Sequence, residues 1–300
     1  MKVADTALLL VLAAIWGSSF IFMRHLSPLL GPLVLTATRT LAAGSILAGA
    51  FALARVRLDW KRNWRRYLLL GALNTAAPWL LFAWAALHQG GAVSSVINAL
   101  TPLWGAVFAA LLLGEAIGAR KLAGIGLGVA GVALIGFAGT GTAAGSAGLL
   151  PVLACALATL LYGFFGAWTK RFAADLSPRA LTAGSLLAGG VLLLPFAFAD
   201  SGKAVGAPPL AWLLALAFSL LCSALAYLIY YRLLARAGVA FALSVTLLIP
   251  VFALLWGFLF LREGIAPADL AGAALVLAGT GLIAGKARAK ASLAAGAGRG

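Results

Sequence analysis

The chain of 300 residues is 64% hydrophobic and 10% charged, with a mean hydropathy of +1.08, an apolar content that no water-soluble core of this size can hide. Seven acidic side chains stand against 22 Lys and Arg, for a formal charge of +15, yet the basic residues form short clusters between apolar runs rather than one polar face, which excludes a nucleic-acid module. Cys155 and Cys222 both lie inside apolar runs, so neither a disulfide framework nor a CxxC metal or redox pair is indicated.

A helix crosses the hydrocarbon core with about 20 apolar residues, and runs of that order occur ten times. The first covers 5–23; it is too long for a signal-peptide core and no polar domain follows it, so it reads as a retained membrane helix. The second, 32–54, carries Arg39, the one charge well inside a span. The third, 67–87, is preceded by Trp60, Trp64 and Tyr67 at helical spacing among Arg and Lys, as expected of a stretch in the inner interface. The fourth, 92–113, holds Pro102, and the fifth, 121–139, is rich in Gly. The sixth to tenth cover 148–168, 179–199, 210–231, 239–261 and 267–285; Pro250 lies in the ninth, and Gly272, Gly279 and Gly281 in the tenth. Beyond them, Ala, Gly, Lys and Arg without an apolar period predict a disordered basic tail over 287–300.

With the N-terminus in the cytoplasm, the inner segments hold 18 basic residues: Lys2, six between Arg55 and Arg66, Arg120, Lys121, Lys170, Arg171, Arg179, Arg232, Arg236 and four from Lys286 to Arg299. The outer segments hold three, Arg24, Lys203 and Arg262. This bias predicts both termini inside, in a bacterial-type inner membrane.

The chain also repeats itself. A shift of 148 residues superposes Gly90 on Gly238, Pro102 on Pro250, Glu115 on Glu263 and Gly131 on Gly279; a shift of 146 superposes Trp16-Gly17 on Tyr162-Gly163, Arg24 on Lys170 and Pro32 on Pro178. Five helices per copy is an odd number, so the second copy enters the membrane from the opposite side. The expected fold is therefore an all-α integral membrane protein of ten transmembrane helices as two inverted five-helix repeats, 1–140 and 147–286, an architecture suited to alternating access.

Leu-Leu-Leu-Gly-Glu-Ala-Ile at 111–117 and Leu-Phe-Leu-Arg-Glu-Gly-Ile at 259–265 each close a Pro-containing helix and precede a Gly-rich one. With Trp16-Gly17 and Arg39 they resemble the two EamA-type repeats of the drug/metabolite transporter superfamily, over about residues 5–286. The resemblance implies a ten-helix exporter of small metabolites, among which amino-acid exporters, including the aromatic amino acid and paraquat type, are well represented. This sequence departs from a strict repeat at Arg262, where the first copy has Gly114, and at Ser185, where it has Arg39.

Polar groups facing lipid are costly, so polar and aromatic side chains deep in a span mark a pathway. Asn74 with Thr75, and Ser94, Ser95, Asn98 and Thr101, form the densest polar cluster, with Ser94, Asn98 and Thr101 on one face of the fourth helix; hydrogen bonds between helices are the plainer use of such Ser and Thr. Trp16, Trp79, Tyr162, Tyr227 and Tyr230 supply aromatic walls, Trp79 aligning with Tyr227 in the repeat, or else fill the core. Pro102 and Pro250 each free a backbone carbonyl and are candidate hinges. Arg39, two turns from the outer end, is expected to snorkel outward as an anchor rather than meet a substrate carboxylate. Glu115 and Glu263 are expected to fix helix ends, with Arg120 and Arg262 as the nearest basic residues.

A Ser hydrolase needs a His near its nucleophile and metal or aspartyl chemistry needs grouped carboxylates at depth; His25, His88 and all seven acids are at or beyond helix ends, so no enzyme, metal or cofactor is expected. The same absence argues against a proton-coupled cycle, because Arg39 stays protonated. The expected partners are a small-molecule substrate and the bilayer. The Gly-rich fifth and tenth helices read as scaffold or as a homodimer face, although a monomer suffices.

Overall fold

The structure, a computed structural model, describes residues 3–138, 148–264 and 266–297. These residues form helices and connections, with no strand among them. Eight helices are long and apolar enough to cross a membrane: α1 (Val3–Leu30), α2 (Pro32–Leu53), α3 (Trp60–Ala85), α4 (Gly91–Leu113), α6 (Leu149–Phe172), α7 (Pro178–Ala199), α8 (Pro209–Ala237) and α9 (Phe241–Leu261). Two further helices, α5 (Ala119–Ala138) and α10 (Pro267–Ala297), pack against each other. The chain is thus a multi-pass membrane protein.

The helices differ from expectation in three places. The Trp60–Tyr67 stretch, expected as a connection at the inner interface, is helical and forms the start of α3, with Tyr67 fully buried on the face of Gly184 and its hydroxyl donating to the Leu58 carbonyl at 2.6 Å. A single apolar face continuing from Tyr67 into the span explains the fusion. The tail is helical as far as Ala297, since Ala, Lys and Arg are strong helix formers; residues 298–300 lie outside the described residues, as does the 139–147 connection that holds the expected repeat boundary. Third, α3 and α8 each contain a wide π turn, Gly71–Ala76 and Leu220–Leu225.

Close helix packing follows from small residues. A Cβ on Gly17 would meet the Ala253 amide nitrogen of α9 at 3.0 Å, and one on Gly163 would meet the Gly105 nitrogen of α4 at 2.7 Å, so α1 crosses α9 and α6 crosses α4 backbone to backbone. Glycines of α5 and α10 pack on each other, Gly131 lying against the Gly272 carbonyl and Gly279 against the Gly124 carbonyl. Among the described residues, none from these two helices lines the central cavity described next.

Candidate functional site

A cavity of about 210 Å³ lies midway along the bundle, lined by Trp16, Ser19, Phe20 and Met23 of α1, Arg39 of α2, Trp79 and Phe82 of α3, Asn98 and Thr101 of α4, Tyr162 of α6, Cys222 and Tyr227 of α8, and Thr246 and Ile249 of α9. Among the described residues, no carboxylate lines it. Six of the sequence-derived candidates, Trp16, Trp79, Asn98, Thr101, Tyr162 and Tyr227, meet there.

The local structure explains how. Each π turn inserts extra backbone just ahead of Trp79 and Tyr227 and rotates the residues that follow, a device common at functional sites. Trp16 stands edge-on to Tyr227 at 6.1 Å, and Tyr162 stacks on Phe82 at 6.4 Å, so the rings form a continuous wall. In α4 the helix is interrupted at Ala99–Leu100, because Pro102 supplies no N–H for the Asn98 carbonyl; the Thr101 hydroxyl caps that carbonyl instead, at 2.8 Å. Pro250 sits inside the α9 helix and leaves the Thr246 carbonyl without its in-helix donor. The two prolines therefore act next to Asn98 and Thr246, which face the same cavity.

Asn74, Ser94 and Tyr230 lie elsewhere. Asn74 is half-buried in the π turn and does not line the cavity; five residues before Trp79, it stands on another face of α3. Ser94 is fully engaged away from the cavity, accepting from Gln89 Nε2 at 2.8 Å in a buried cluster where Gln89 also donates to Cys155 Sγ at 3.2 Å. Tyr230 packs on Trp16 at 5.7 Å behind the wall.

Arg39 corrects the sequence reading. It does not snorkel outward: it is 7% exposed, its Nε donates to Ser223 Oγ at 3.0 Å, and its guanidinium lies 3.6 Å from the ring centre of Trp79 and 4.3 Å from that of Phe218. Two aromatic faces and a hydroxyl hold the head in the cavity wall more favourably than the outer end of α2 could. Ser19, which sequence reasoning passed over, also lines the cavity, with a buried hydroxyl that has no hydrogen-bond partner.

Toward the ends that sequence assigns to the cytoplasm lies a wider depression of about 550 Å³, bordered by Val56, Arg57, Asp175, Arg179 and Tyr231. Tyr231 separates it from the cavity, stacked on Tyr227 at 6.1 Å and donating to the Pro178 carbonyl at 2.9 Å. At the opposite end Glu263 accepts from the Gly91 amide at the start of α4, at 3.2 Å, and lies 3.8 Å from Arg24 Nε. Glu115 pairs with Lys170 at 3.1 Å and Lys121 at 3.7 Å. These partners replace the expected Arg262 and Arg120; Arg262 takes a left-handed backbone conformation at the end of α9 (φ 52°). Hydrogen bonding to Lys170, and the charge of both lysines, holds the Glu115 carboxyl below its ordinary range. Among the described residues, no three His, Cys, Asp or Glu come together as a metal site.

The sequence profile of the EamA-like transporter family matches residues 6–137 and again 149–285. The chain belongs to the EamA-like transporter family. It is 30% identical over 284 residues, 94% of each chain, to a probable terminal-alkyne amino-acid exporter of Streptantibioticus cattleyicolor. It is 30% identical over 296 residues, 97% of this chain and 95% of the relative, to the uncharacterized transporter YvbV of Bacillus subtilis, and 28% identical over 284 residues to the protein PecM of Dickeya dadantii. A protein of known crystal structure shares the fold, with a TM-score of 0.62 at 20% identity over 94% of this chain and 96% of that one. The cavity is thus the candidate binding site of an EamA-like transporter.

Proposed function

We propose that this transporter exports small organic metabolites, amino acids foremost, across a bacterial inner membrane by alternating access, with ten membrane crossings as two inverted repeats and both termini in the cytoplasm. The observation that carries the reading is the central cavity, whose walls include both members of the repeat-related pairs Trp16 and Tyr162, Trp79 and Tyr227, and Asn98 and Thr246. A site built symmetrically between two halves can be exposed to either side by exchanging their conformations.

The ion pairs support this topology. Arg24 with Glu263 unites residues assigned to one face, and Arg66 with Asp175, Lys170 with Glu115, and Arg236 with Asp5 unite residues assigned to the other. Arg24 and Lys170 are repeat-related, as are Glu263 and Glu115. The α1 and α9 pair is thus latched at the outer end and the α6 and α4 pair at the inner end, beyond the equivalent glycine crossings at Gly17 and Gly163. In the proposed cycle each latch opens in turn, with bending near Pro102 and Pro250.

Amino-acid size agrees with a cavity below the roughly 300–1,000 Å³ that holds drug-sized ligands, and one relative carries an amino-acid exporter's name. With no acid or His lining the cavity, the cycle is facilitated or exchange transport rather than proton-driven. The test is counterflow in liposomes holding the purified chain, with a panel of labelled amino acids, one bearing a terminal alkyne, alongside organic cations, sugars and nucleosides. Saturable flux of an amino acid accelerated by the same substrate on the opposite side is expected. Non-saturable flux without acceleration would establish a channel, and counterflow of organic cations but no amino acid would move the substrate class.

A further inference from the structure

The cavity wall contains one full charge, and its setting is incomplete. Arg39 is buried, its guanidinium over two rings, and spends one of its five N–H donors on Ser223. Among the described residues no carboxylate lies within ion-pair distance of it; the acids Asp5, Glu115, Asp175 and Glu263 are paired with other cations near helix ends. A buried guanidinium without a counter-charge is destabilising unless an anion or water meets its remaining donors. The same cavity holds a second unsatisfied group, the Ser19 hydroxyl, which is 6% exposed and has no partner. The other polar lining groups, Asn98, Thr101 and Thr246, are neutral, and Trp16, Tyr162 and Tyr227 give the remaining wall an aromatic surface.

Resting on the transport reading above, we propose that Arg39 takes the carboxylate of the transported molecule, with Ser19 as an auxiliary donor, while the apolar remainder of the substrate lies against Trp16, Tyr162 and Tyr227. The planar guanidinium matches a carboxylate with two parallel N–H donors, and the rings that clamp it fix that geometry before the substrate arrives. Among the described residues, no acidic side chain lines the cavity to hold an ammonium. The carboxylate is therefore the required group and the amine a dispensable one: the substrate class is small monocarboxylates with an apolar side chain, of which amino acids are one kind. An organic cation is repelled by Arg39 and finds no counter-charge.

Three isosteric probes separate these alternatives: leucine, 4-methylpentanoate, which lacks the amine, and 3-methylbutylamine, which lacks the carboxylate. Uptake of labelled leucine and of labelled 4-methylpentanoate is measured in liposomes loaded with the same compound, with each unlabelled probe as competitor. Binding is measured independently as the shift in thermal unfolding of the detergent-solubilised protein with each probe. The expected result is flux and stabilisation with both acids and neither with the amine. Arg39→Gln is expected to raise the half-effective concentration of either acid by roughly tenfold to a hundredfold, the value of hydrogen bonds to a charged group, while eluting from gel filtration as the native protein does. Should that variant fail to fold, the competition pattern of the native chain decides alone. Competition by the amine as strong as by 4-methylpentanoate overturns the assignment and leaves the transport reading standing, as does an Arg39→Gln protein that folds and retains the native affinity for both acids. Absence of flux and of stabilisation with all three compounds overturns the assignment. The transport reading also falls if no member of the wider panel shows saturable counterflow.

Discussion

The outer latch gives a prediction that can be worked through in energy. Glu263→Gln retains the shape of the side chain and an oxygen that can still accept from the Gly91 amide, and removes only the negative charge. Two interactions weaken. The pair with Arg24 is 3.8 Å long, with Arg24 37% and Glu263 15% exposed, so after solvent screening it contributes about 0.5 kcal/mol. The charge at the start of α4 faces the positive end of the helix dipole, worth about 1 kcal/mol at a largely buried site. Together they stabilise the state closed at the outer end by about 1.5 kcal/mol, so their loss shifts the closed-to-open ratio toward open by roughly tenfold. The assay is the rate at which an impermeant maleimide added outside labels a cysteine at Thr246, with Cys155 and Cys222 replaced by Ala. Glu263→Gln should raise that rate by up to about tenfold. Glu115→Gln should lower it by a smaller factor, because Glu115 is 41% and Lys170 68% exposed and their pair is correspondingly weak. An unchanged rate in Glu263→Gln, or a change of the same sign in both variants, would refute the latch argument.

Three further outcomes are expected. Closing the cavity around an unpaired Arg39 is costlier than closing it around a paired one, so homoexchange of 4-methylpentanoate should exceed its net efflux by at least about tenfold, measured as tracer exchange against chemical efflux from the same liposomes. Gly163→Ala, whose new methyl would meet the α4 backbone, should lower stability by about 1–3 kcal/mol, read in thermal unfolding, whereas Gly166→Ala, with nothing within 4 Å, should be neutral. Because Lys170 and Lys121 depress the Glu115 carboxyl, the inner latch contributes fully above the ordinary glutamate range and is lost only as pH falls through the lowered value; exchange measured at equal pH on both sides should therefore keep its rate from pH 7 to pH 5.

Much about this protein follows from its residue order alone. Ten apolar runs, the charge imbalance between alternate connections and the doubled Leu-rich motif with its Glu are one-dimensional signals, and the helices, the multi-pass class and the family follow from them. Trp16, Trp79, Tyr162 and Tyr227 could be singled out because aromatic residues in repeat-related positions are visible without coordinates. Which way a side chain faces was decided by tertiary structure. A helix that is apolar all round carries no periodicity to tell lipid from partner helix, so Asn74 and Ser94 look as suitable as Asn98 until the π turn of α3 and the Gln89 cluster place them away from the cavity. Arg39 illustrates the same limit. Its depth along α2 suits an outward anchor, and only the approach of Trp79, Phe218 and Ser223, from helices distant in sequence, turns it inward. Four of the five ion pairs likewise join residues 55 to 239 positions apart, a distance over which charge alone names no partner and the helix crossings at Gly17 and Gly163 choose.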